Sequence, residues 1–86
     1  MNCITADILF TKKEASKMFE WFREIFIDGG RAARINKYLD EIGDPVYKIY
    51  YHRHGFCISA ISHDLTKAKR KFIENTYMEK QINKAA

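Results

Sequence analysis

Apolar and polar positions alternate at the start of the chain: Ile4, Ala6, Ile8 and Phe10 on one side, Thr5, Asp7 and Leu9 on the other. A period of two predicts a strand with one buried face. The period changes at Thr11. Thr11-Lys12-Lys13-Glu14 has the capping-box pattern, in which Thr and Glu side chains satisfy backbone N–H groups left orphaned at a helix start. Ala15, Met18, Phe19, Phe22, Ile25 and Phe26 follow at helical spacing as one wide apolar stripe. Gly29-Gly30 marks the end of this helix, because glycine readily takes the left-handed conformation beyond a C-cap.

A second, shorter helix is predicted over Arg31 to Ile42, with Ile35, Tyr38, Leu39 and Ile42 on its apolar face and Arg34, Lys37 and Glu41 turned away. Gly43-Asp44-Pro45 stops it. Val46 to Arg53 and Phe56 to Ser62 read as strands joined at His54-Gly55, a dipeptide suited to a tight hairpin. A two-residue connection sets Arg53 opposite Phe56, Tyr51 opposite Ile58 and Ile49 opposite Ala60 on the buried face. Lys48, Tyr50, His52, Cys57, Ser59 and Ile61 then share the other face. Ser62 or Asp64 caps a last helix with Leu65, Ala68, Phe72 and Thr76 inward, Ile73 on the flank, and Lys67, Arg70 and Lys71 outward. Its apolar spacing fades from about Glu79, where fraying is expected.

The order β-α-α-β-β-α predicts one α+β domain over residues 1–86: a three-stranded, mainly antiparallel sheet packed by helices on one face. A strand left open at the sheet edge would allow a homodimer.

With 86 residues there is room for one domain, and 47% hydrophobic residues support a core rather than disorder. The longest apolar-rich stretch, Met18 to Ile27, is interrupted by Glu20, Arg23 and Glu24, so no membrane span is expected. The N-terminus carries no signal-peptide pattern, so the expected location is cytoplasmic, with Cys3 and Cys57 as free thiols. Residues 1–43 are neutral, and the whole excess behind the net charge of +4 lies in residues 44–86. That asymmetry suggests an anionic partner for one surface and excludes an acidic mimic of DNA.

Three groups of residues carry candidate chemistry. Lys67, Arg70 and Lys71 form a helix ridge able to follow phosphates, although Glu74 is placed to pair with Arg70 and the ridge also reads as an ordinary solvated face. Lys48, Tyr50, His52 and Arg53 lie on or beside the hairpin, where a ring of Tyr50 or Tyr51 could stack an unpaired base while cations hold the backbone. Trp21, with Arg34 and Lys37 of the second helix, makes a candidate protein-docking surface; for Trp21 itself a core position is the plainer reading. His52, His54, Cys57 and His63 lack the paired spacing of a zinc site, and Gly29-Gly30 lacks that of a phosphate-binding loop, so no metal or cofactor is expected. His52 and His54 with Arg53, Lys48 and Tyr50 would suit a metal-independent ribonuclease.

Phe56 to Ser62 leading into Leu65-Thr66-Lys67-Ala68-Lys69 resembles the end of a double-stranded RNA-binding domain, where a strand also feeds a helix with a Lys-rich first turn. The order of the earlier elements does not match, and no residue roles are carried over. In size and lack of motifs the chain is similar to accessory proteins of bacteriophages, many of which inhibit a host or defence enzyme. The expectation is a non-enzymatic basic module that contacts RNA, within a protein–RNA complex in one version. The alternatives are a protein inhibitor or antitoxin-like adaptor and, third, the small ribonuclease.

Overall fold

The computed structural model describes residues 3–53 and 56–85, with side chains described for 3–52 and 57–77. The elements are β1 (Ile4–Ile8), α1 (Lys12–Ala15), α2 (Glu20–Arg23) running on into a π-helical turn (Glu24–Asp28), β2 (Ala33–Leu39), β3 (Pro45–Arg53), β4 (Phe56–Ser62) and α3 (Leu65–Ala85). The strands form an antiparallel sheet in the order β1-β2-β3-β4. The class is therefore α+β as expected, but the sheet has four strands rather than three.

The extra strand is β2, where the sequence predicts a helix over Arg31–Ile42. Ile35, Tyr38, Leu39 and Ile42 do fall at helical spacing, yet an isolated helix of that length is marginal. As a strand, the segment gains ladders on both sides, from β1 and from β3. Gly43-Asp44-Pro45 consequently belongs to a hairpin. The Asp40 carboxylate accepts from Ile42 N–H at 3.0 Å and Asp44 N–H at 2.8 Å, and Gly43 sits at φ 89°.

The first helix is also modified. Its capping box forms as expected, with Glu14 N–H donating to Thr11 Oγ1 at 3.1 Å and Thr11 N–H donating to Glu14 Oε1 at 2.9 Å. Helix α1 ends at Ala15, however, and Phe19 is extended. Helix α3 takes up the backbone groups at this break. The buried Thr76 hydroxyl accepts from Phe19 N–H and the Tyr77 hydroxyl donates to the Met18 carbonyl, both at 3.4 Å. The break lets Met18 and Phe22 both become fully buried. Gly29 N–H then bonds Glu24 O at 2.7 Å, which closes the wide π turn and turns Ile25 and Phe26 into the core.

Phe10, Phe26 and Phe72 form the centre of that core, with ring centroids 5.3 to 5.8 Å apart, and Tyr51 meets Phe26 edge-on at 5.0 Å. The core lies between the helices and the inner sheet face of Ala33, Ile49, Tyr51, Ile58 and Ala60. Asp64 caps α3 through Thr66 N–H at 2.9 Å, and Ala68, Phe72, Ile73 and Thr76 point inward. Leu65, expected inside, is 37% exposed. No described helix is long and apolar enough to cross a membrane.

Candidate nucleic-acid interface

All the helices pack on the inner face, so the opposite face of the sheet carries no helical layer. Register across the four strands builds it in rows: Asp7–Arg34–Tyr50–Ser59, then Thr5–Asn36–Lys48–Ile61, flanked by Tyr38–Val46 and His52–Cys57. The hairpin register follows the expected two-residue connection, and His54-Gly55 itself lies outside the described residues. Lys48, Tyr50 and His52 thus share a face as the alternation requires.

The fourth strand adds Arg34 to them. Arg34 is paired with Tyr50 in the next strand, and its guanidinium lies 3.9 Å from the Asp7 carboxylate, with both charged side chains well exposed. An exposed pair at that distance is loose and leaves the guanidinium able to meet another anion. Lys48 Nζ lies 5.8 Å from the Tyr50 ring centroid, within cation–π range. Tyr38, Lys48 and Tyr50 are half-buried, while Arg34, His52 and Ile61 are exposed. Arg34 and Lys48 therefore neighbour an aromatic ring on the sheet face that carries no helix, where Val46 is nonetheless buried.

Lys37 does not join them. It was expected beside Arg34 on a helix; strand geometry sends the two to opposite faces, with Lys37 Nζ 5.7 Å from the Tyr47 ring centroid on the inner side. Trp21 is half-buried against the core on the helical side, 4.9 Å from the Phe22 ring, whereas Arg34 is on the opposite face, so the three do not form one surface. Tyr51, the alternative stacking ring, is buried, and its hydroxyl has no hydrogen-bond partner among the described residues. The Arg53 side chain lies outside the described residues.

Lys67, Arg70 and Lys71 are exposed along α3 as expected, but α3 packs on the inner side of the sheet. The ridge and the open sheet face are on opposite sides of the domain. Arg70 makes no ion pair with Glu74. Both line a groove of about 660 Å³ between α1 and α3 with Lys13, Lys17, Ile73 and Tyr77. Lys69 closes one wall through Glu14 at 2.8 Å. Burial alone would raise the Glu14 carboxyl, but hydrogen bonds from Lys69 and Thr11 hold it below its ordinary value.

His52 faces Cys57, both exposed; His63 bonds Asp40 at 2.9 Å beyond the other end of the strands. Hydrogen bonds from His63 and from Asp44 N–H lower the Asp40 pKa. No group of three potential metal ligands occurs among the described residues, and Cys3 and Cys57 are free thiols. No protein-family model, curated protein or solved structure matches this chain.

Proposed function

We propose that this protein is a non-enzymatic binding module for single-stranded RNA and that the open sheet face is its binding surface. The observation that carries this reading is the placement of Tyr50 opposite Arg34 and within 5.8 Å of Lys48 Nζ on the side of the sheet without helices. A ring stacks any unpaired base, and cations beside it hold the phosphates on either side. A duplex hides its base faces and offers Tyr50 nothing to stack on, so single strands are favoured. We read the role as binding; a cleavage mechanism on this face would have to use His52 with Tyr50 or Lys48 as its second proton-transfer group.

The test is anisotropy of a fluorescein-labelled, random-sequence 12-nucleotide RNA, with an equal-length DNA duplex beside it. Tyr50→Ala should weaken RNA binding about 5- to 150-fold, the range for loss of one stacked base. Lys67, Arg70 and Lys71 changed together to Gln should leave stacking intact. Unchanged affinity in Tyr50→Ala would overturn the reading. RNA that shortens during incubation, and stays intact with His52→Ala, would favour the ribonuclease.

A protein inhibitor or adaptor is the second reading, favoured by Ile61, which is 49% exposed on the same face. That version predicts a partner complex that survives nuclease treatment.

A further inference from the structure

We propose that the free edge of β1 is a homodimer interface, pairing antiparallel with β1 of a second copy about a two-fold axis at Ala6. An edge strand presents a row of unpaired N–H and C=O groups, and proteins shield such edges with helices, lysines, prolines or bulges. The two edges of this sheet are treated differently. Along β4, α3 packs close, and Asn75 Nδ2 donates to the Ser59 carbonyl at 2.8 Å. Along β1 no helix, lysine, proline or bulge appears among the described residues, and Asp7 is its one charged side chain. Residues 4–7 are all exposed, Ile4 at 64%, although Ile4 and Ala6 belong to the apolar inner face.

Self-complementarity identifies the occupant. In an antiparallel pair, residues directly opposite each other point to the same face. A continuous sheet with all helices on one side therefore requires the axis to pass through a residue, not between two. Centring on Ala6 pairs Ile4 with Ile8 of the second copy on the inner face. Thr5 meets Asp7 on the outer face, and the whole of β1 is used. A shift to Asp7 would set two carboxylates opposite each other, which is unfavourable. Centring on Thr5 would leave Ile8 without a β1 partner.

Only a short edge is buried, and interfaces well under about 1,200 Å² are weak. A weak, reversible dimer follows. It would join two sheets into one and make their outer faces continuous. The pairing itself does not depend on RNA binding.

Sedimentation velocity of the full chain without RNA, from about 1 μM to about 1 mM, tests the association. The expected result is a shift from monomer to dimer, with Ile4→Lys monomeric throughout and its thermal melt unchanged. Crosslinking fixes the register. In a Cys3→Ser, Cys57→Ser background, Ala6→Cys places the two thiols at the axis, on residues whose Cα atoms are roughly 4.5–5.5 Å apart, within disulfide range. Oxidation should give mostly covalent dimer. Thr5→Cys, offset from its own copy, should crosslink at least tenfold more slowly. A monomer at 1 mM, or equal crosslinking at both positions, would overturn the proposal.

Discussion

Salt dependence separates the open sheet face from the α3 ridge, because each neutralised phosphate adds a fixed increment to the slope. The described part of the open face carries two permanent cations, Arg34 and Lys48, and one anion, Asp7. For single strands, each cation that replaces a counterion contributes about 0.7 to the slope of log K against log salt. Changing both Arg34 and Lys48 to Gln should flatten that slope by about 1.4. Over a tenfold rise in salt, the variant should then lose about 25-fold less of its affinity than the wild type does. Asp7 is well exposed and its contact with Arg34 is 3.9 Å long, so removing Arg34 should cost the fold little. Changing Lys67, Arg70 and Lys71 to Gln should leave the slope where it was. The assay is RNA anisotropy at five salt concentrations, with Tyr50→Ala as a control that lowers affinity without changing slope. If the ridge variant flattens the slope by about 2 and the sheet variant does not, the binding surface has been placed on the wrong side of the domain.

Three further outcomes test the fold around this surface. Thr76→Val removes the acceptor for Phe19 N–H at the break between α1 and α2 and should lower stability to urea by about 1–3 kcal/mol, more than Thr76→Ser does; a Val variant as stable as wild type would refute the bridging role. Tyr51→Phe deletes a buried hydroxyl without a described partner and should leave stability equal or raise it by about 1 kcal/mol, whereas a clear loss in urea denaturation would reveal a partner. Acid should destabilise the domain in a defined window. Asp40 and Glu14 have folded-state pKa values below their ordinary 3.8 and 4.5, so their stabilisation is complete above those values and fades as pH falls through the lower folded ones. A series of melting temperatures below about pH 4.5 should show this fall, and Asp40→Asn should blunt it; an unchanged acid limb in that variant would count against the Asp40 contribution.

The hairpin was legible because its alternation is strict and its connection short. Once Gly55 is taken as part of a two-residue turn, every pair from Tyr47↔Ser62 to Arg53↔Phe56 is determined, and with it the shared face of Lys48, Tyr50 and His52. The capping box at Thr11 was legible for a similar reason: its signal is local. Strand β2 was not, because the core covers only its first residues. The inner-face series Ala33, Ile35, Lys37, Leu39 runs from buried to exposed, so a lysine interrupts the alternation while Ile35, Leu39 and Ile42 imitate a helix. That misreading hid Arg34 from the candidate site and joined it to Lys37. Placing Pro45 at the start of a strand and Asp40 at a hairpin turn would have been the available signal, since Pro is tolerated at a first strand position. The break after Ala15 had no local signal, because the groups that complete it, Thr76 and Tyr77, come from the far end of the chain.

The Asn75 side chain on the Ser59 carbonyl has a consequence for the size of any assembly. A sheet that accepts strands at both ends can lengthen without limit, and each added copy exposes a fresh site for the next. If β1 pairs as proposed, the β4 edge, where α3 packs close and Asn75 bonds Ser59, limits growth to a single addition. In that dimer Asn75 and the helix that carries it would serve together as a stop against further strand addition.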